Sequence, residues 1–196
     1  MQIILDAASN NQILAKRLKL EAASSCSGQG AEVRSLDVQN LKQILAEELV
    51  PDNYVSYRAA HHYSDGVSES LLVLGDLIDA GRNDAAIELS EHAVTLLHQA
   101  VELVDDSDGK FRNLMDEVLD MHHRAFTGLV EDVEDGDTEA VNRRRLAMLV
   151  FGWEMNNDYG LLDDVFNRYQ DILGYEGTAV VGECIKLNSL NLRKPA

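Results

Sequence analysis

Proline occurs twice in 196 residues, cysteine twice, and Lys and Arg together 17 times against 34 Asp and Glu. Each scarcity excludes something. So little proline beside 45% hydrophobic residues describes neither a disordered tail nor a low-complexity chain. A chain of this length can bury about 70% of its unfolded surface, enough for one sizeable core without metal or disulfide staples. Cys26 and Cys184 lie near opposite ends. A secreted disulfide scaffold carries more, and a structural zinc site needs four clustered ligands, so these read as reduced thiols in a cytosolic protein. The net charge of −17 argues against a bare nucleic-acid binder, which needs Lys and Arg to displace counterions from phosphates. It argues equally against docking on an anionic membrane surface. No basic run precedes Ile3-Ile4-Leu5, so no signal peptide is expected, and no apolar stretch approaches the roughly 18 residues of a membrane span. The expectation is a soluble cytoplasmic protein.

Strand signals are scarce too. No alternating Val/Ile/Thr run of useful length exists, and Thr178-Ala179-Val180-Val181 is the one ambiguous stretch. What is present is helical periodicity. Ala86, Leu89, Ala93, Leu96, Leu97, Ala100 and Val104 recur at steps of three and four, flanked by a row of Ile87, Val94 and Val101. That wide apolar face is expected of a helix packed on two sides. Phe111, Met115, Val118, His122, Ala125 and Leu129 form a second stripe. Breaks fall at Ser27-Gly28-Gln29-Gly30, Pro51-Asp52-Asn53, Gly81-Arg82-Asn83-Asp84, Asp105-Asp106-Ser107-Asp108-Gly109, Glu134-Asp135-Gly136-Asp137, Asn156-Asn157-Asp158-Tyr159-Gly160 and Gly174. Gly81 reads as a C′ glycine, with Asn83 and Asp137 as N-caps. The spacing predicts helices near 9–25, 35–49, 53–80, 84–104, 110–130, 137–155 and 158–173, with a final one near 175–188. The fold class is all-α, a single domain over 1–196 with its core in 8–190. Short links favour stacked antiparallel helical hairpins, forming an irregular solenoid. A closed helical bundle is the structural alternative.

Three segments carry a family resemblance: Gly81 to Ala93, the turn Val104 to Gly109, and Met121-His122-His123-Arg124-Ala125-Phe126. They resemble the helical, tetratricopeptide-like region that lies C-terminal to the finger in bacterial SWIM zinc-finger proteins. Trp153 to Asp158 and Phe166 to Gly177 are similar to that family's Glu-x-x-x-Asp and Tyr-x-x-x-Leu-Gly-x-x-Gly elements. The similarity spans about Leu14 to Cys184. A SWIM finger needs a Cys-x-Cys…Cys-x-His ligand set, which Cys26 and Cys184 do not supply. The resemblance therefore implies the helical part without its finger, and no zinc or DNA role transfers with it.

The candidate binding residues are Asp105, Asp106, Asp108 and His122. An EF-hand reading of the Asp-rich turn places Val104 and Met115 at the first and twelfth loop positions, where calcium needs carboxylates. The turn thus reads first as a helix-to-helix connection, with Gly109 at positive φ and an aspartate capping free N–H groups. His122, on an apolar stripe, reads as a buried imidazole hydrogen-bonded to that turn or to a neighbouring helix. A zinc site from His61, His62, His122 and nearby carboxylates would require distant helices to converge. Gly182-Glu183-Cys184 is not an activated cysteine motif, and no Gly-x-Ser-x-Gly elbow or phosphate loop is present. No catalytic residue, metal or cofactor is expected.

Charge is uneven. Residues 101–140 hold 13 acidic side chains against Lys110, Arg112 and Arg124, which is −10 of the −17. Lys16, Arg17 and Lys19 make the first segment basic, and Arg143-Arg144-Arg145 is a second basic spot. The leading functional expectation is a non-enzymatic protein-interaction module. An acidic regulator or DNA mimic acting on a basic protein is the alternative, and a metal-dependent enzyme the third.

Overall fold

The computed structural model describes residues 38–133 and 135–191. The helix expected near 9–25, Cys26 and the basic side chains at 16, 17 and 19 lie outside these. The described residues form seven α-helices and one 3₁₀ turn: α1 (Val38–Leu49), α2 (Tyr57–Asp79), α3 (Asn83–Ala100), the 3₁₀ turn Val101–Leu103, α4 (Lys110–Glu131), α5 (Gly136–Met155), α6 (Val165–Arg168) and α7 (Gln170–Asn191). The fold is all-α. The β pairing among the described residues is one isolated parallel bridge, Val55 with Val104. The chain divides into two compact units, with the division between Ala125 and Phe126.

In the first unit α3 is the central helix. It buries Ala85, Ala86, Ile87, Leu89, Ser90, Ala93, Val94, Leu96, Leu97 and Ala100, more than half of its 18 residues, as the doubled apolar row predicts. Helices α1 and α2 pack on it and on each other. Leu41, Leu45 and Leu49 of α1 are fully buried, a strict i, i+4, i+8 stripe. Gly81 ends α2 in a Schellman motif: its N–H bonds the Ile78 carbonyl at 2.9 Å and the Arg82 N–H bonds Leu77 at 2.8 Å. Gly81 takes φ 69°, as its C′ place requires. Asn83 is the first helical residue of α3, not its cap, which is Arg82.

Cross-links between α2 and α4 advance together along both helices. Lys110 meets His61, Phe111 stacks on Tyr63, Glu117 meets Ser68 and Arg124 meets Asp79. The two helices therefore run in the same direction.

In the second unit the expected helix 158–173 is not continuous. Asn157 explains this: its Oδ1 accepts the Leu162 N–H at 2.9 Å while its Nδ2 donates to Asp163 at 2.9 Å. Such side-chain bonds offer the backbone an alternative to the helical ladder. Gly160 and Asp164 both take positive φ, leaving the four-residue α6. The turn still buries Leu161 and Leu162. The ambiguous stretch 178–181 is helical, inside α7. Asp135, two residues before the expected Asp137, caps α5: it accepts the Asp137 N–H at 3.3 Å and the Thr138 hydroxyl at 2.9 Å. Those two bonds, the hydroxyl first, hold the Asp135 carboxyl below the usual range.

Helices α5 and α7 pack closely. Their touching pairs again advance together, Arg143 with Gly177 and Met148 with Cys184, so they too run in the same direction. Residues 156–169 carry the chain back between them.

Candidate functional site

The Asp-rich turn is anchored by the bridge beneath it. Val55 donates to the Leu103 carbonyl at 2.7 Å and accepts the Asp105 N–H at 3.0 Å. From there each carboxylate turns to its own backbone. Asp105 accepts the N–H of Ser107 at 3.2 Å and its hydroxyl. Asp106 accepts the N–H of Phe111 at 2.7 Å and of Arg112 at 3.3 Å, satisfying two free donors in the first turn of α4. Asp108 accepts the Lys110 N–H at 3.3 Å and lies 3.9 Å from its ammonium. Gly109 takes φ 72°. The three carboxylates are thus capping and turn groups.

His122 is fully buried, its Nε2 3.8 Å from Oε1 of Glu91 on α3. A neighbouring helix supplies this contact, and the Asp-rich turn does not. Twelve residues of α4 separate His122 from Lys110, about 18 Å at helical rise. His61 lies at the other end of that distance. It is exposed, with Lys110 Nζ donating to its Nδ1 at 2.6 Å and Asp65 at 3.4 Å. The structure therefore does not bring His61 and His122 together. Among the described residues no group of three or more His, Cys, Asp or Glu is placed to hold a metal ion. No helix among them is long and apolar enough to cross a membrane.

His92 makes a quieter arrangement. Its Nε2 lies 3.3 Å from the Lys42 carbonyl, beside the Lys42–Glu88 ion pair at 2.7 Å. Burial lowers its pKa below the usual imidazole value, the Lys42 carbonyl works the other way, and the Lys42 charge adds to the lowering.

The face with most to offer a partner lies on α5 and α7. Helix α5 buries Leu146, Ala147 and Val150 on one side. On the other, Val141 (66% exposed), Met148 (53%) and Met155 (49%) repeat every seven residues. Beside them on α7 stand the half-buried Val180 and the exposed Leu187 (63%). A hollow of about 320 Å³ between the helices is lined by Ala140, Val141, Arg144, Glu176, Gly177 and Val180. The Cys184 thiol lies 3.7 Å from the Met148 thioether along the same seam.

At the start of α7 a second hollow of about 450 Å³ opens around Arg143, Gly174 and Tyr175. Tyr175 is 91% exposed. Arg143 donates to Glu139 from Nε at 2.9 Å and Nη2 at 2.7 Å, and from Nη1 to the Ile172 carbonyl. Gly177 lies against α5, where a Cβ would stand 3.5 Å from the Arg143 carbonyl oxygen, and against its own preceding turn, where it would stand 2.9 Å from a methyl of Leu173. Sequence reasoning marked Arg143-Arg144-Arg145 as a basic spot and missed the apolar row. The seven-residue spacing of Val141, Met148 and Met155 was the signal for it. The chain matches no family model, no curated protein and no solved structure.

Proposed function

We propose that the chain is a non-enzymatic protein-interaction module, a short irregular tetratricopeptide-like stack of helices that binds protein through the α5–α7 face. One observation carries this reading: α5 is apolar on two opposite sides, and only one of them is used in its own core. Val141, Met148 and Met155 face outward while Leu146, Ala147 and Val150 are buried. A row of exposed apolar groups rimmed by charge marks an association surface. The company they keep, Arg144 and the exposed Tyr175, is the composition in which binding energy concentrates. The parallel course of α2 and α4, with the short link at Gly81 turning α2 into α3, fits the stacking of helical hairpins. Likeness to the helical region of SWIM zinc-finger proteins belongs to the same proposal and rests on the residues quoted above.

The test is a photo-crosslinking side chain at Val141, with the same group at the exposed Asp52 as control, in cells that make the protein natively. Covalent adducts with protein are expected at 141 and not at 52. Equal labelling at both positions, or none at 141, defeats the reading.

A further inference from the structure

We infer that the protein seated on the α5–α7 face is a second copy of this chain, paired about a two-fold axis parallel to the two helices; this rests on the interaction reading above. The argument is charge complementarity built into the face. On the α5 side of the hollow stands Arg144 and on the α7 side Glu176, with the exposed Glu183 further along α7. Arg144 and Glu176 line the same hollow, so they stand at the same level along the helices.

A two-fold axis along the seam lays α5 of one copy over α7 of the other without shifting that level. Each Arg144 then meets the acidic side of the partner's α7, so that the contact is made twice in the dimer, once from each copy. Around these charges Val141 and Met148 of one copy meet Val180 and Leu187 of the other, which is the self-complementarity an isologous interface requires. A two-fold axis across the seam would instead set Arg144 near the like-charged edge of the other α5, which like-charge repulsion disfavours. Of the acidic residues that begin α5, Glu139 is already paired with Arg143 at 2.7 Å, which leaves the exposed Asp137 at the start of the helix.

Sedimentation equilibrium of the full chain across the micromolar range tests this. A concentration-dependent dimer is expected, and Met148→Glu, at an exposed position, gives a monomer with unchanged helical circular dichroism. Arg144→Glu weakens the dimer by on the order of tenfold or more, and Arg144→Glu with Glu176→Arg restores it. A monomer at every concentration overturns the inference, as does a dimer indifferent to Met148→Glu. The crosslink at Val141 separates the two readings. An adduct with another copy supports both. An adduct with a different protein overturns self-pairing and leaves the interaction module standing. No adduct at all removes both.

Discussion

Arg143 on α5 holds the carbonyl of Ile172 on α7, and it does so immediately before the backbone break at Gly174. The break takes φ 57°, ψ −160°, a region open to glycine and almost closed to other residues. The two features depend on each other. Breaking the helix at residue 174 frees the Ile172 carbonyl for the guanidinium. The guanidinium in turn stands 3.0 Å from where a Cβ of residue 174 would lie. Glu139 steadies the arginine through two further bonds. The start of α7, and with it Tyr175 and Glu176, is set by this clasp.

Replacing Gly174 by Ala should therefore be costly. The backbone strain alone amounts to about 1–3 kcal/mol. At this chain length each kcal/mol lowers Tm by about 2–4 °C. Thermal denaturation of Gly174→Ala, Arg143→Ala and the double variant reads the two contributions apart. The double variant should lose less than the sum of the singles, because the crowding against Arg143 disappears while the strain remains. Full additivity would show that the clasp and the break are independent.

Asp106 should matter more than its two acidic neighbours. It caps two N–H groups of α4, whereas Asp105 and Asp108 each accept one backbone N–H. Asp106→Ala is expected to cost about 0.5–2 kcal/mol, the range for a lost N-cap. Asp105→Ala and Asp108→Ala should cost less, and calcium should leave the Tm of the parent chain unchanged. A calcium-dependent rise in Tm that vanishes in Asp106→Ala would reverse the assignment of this turn.

Much of this was legible in the sequence for reasons that differ by element. The doubled apolar row of α3 specified a helix packed on more than one side, because period and width together leave little choice. Gly81 announced its Schellman turn because a C′ position selects for φ above zero. Residues 158–173 misled because Leu161, Leu162, Val165, Tyr169, Ile172 and Leu173 are all buried and fit a helical rhythm. The side chain of Asn157 and the positive φ of Asp164 overrode that rhythm, and neither carries a periodic signal. The site was less legible than the fold. The acidic run from 101 to 140 drew attention through sheer charge, yet in the turn its carboxylates serve the backbone. Val141, Met148 and Met155 are spaced over a helix whose apolar residues surround it, so no single stripe stood out.

His92 gives stability a dependence on mildly acid pH. Its folded pKa lies below the ordinary value of about 6.5, so the folded state favours the neutral ring. The stabilisation is complete above about pH 6.5 and is lost as pH falls through the lowered folded pKa. Protonation there would also set an imidazolium beside Lys42. Tm measured at about pH 7.5 and about pH 5.5 should fall further in the parent than in His92→Gln, whose amide cannot take up the proton. Identical falls in the two proteins would place the acid sensitivity elsewhere.

Tyr63 acts at the other end of the scale. Its hydroxyl donates at 2.5 Å to the carbonyl of Leu49, the last residue of α1, and so satisfies one of the acceptors a helix leaves open at its C-terminus. Burial pushes its pKa well above the ordinary tyrosine value, because the phenolate would lose solvation and meet a carbonyl oxygen. A raised folded pKa means that the stabilisation is whole below about pH 10 and disappears as pH climbs from there through the folded value. Tyr63→Phe keeps the ring stacked on Phe111, 6.4 Å between centroids, and removes the donor alone. It should cost about 0.5–1.5 kcal/mol at neutral pH, the usual net worth of one hydrogen bond. The same variant should show a flatter decline of Tm on the alkaline side, so that parent and variant converge as pH rises. Curves that stay parallel would mean that the phenol ionises as freely in the folded chain as in the unfolded one.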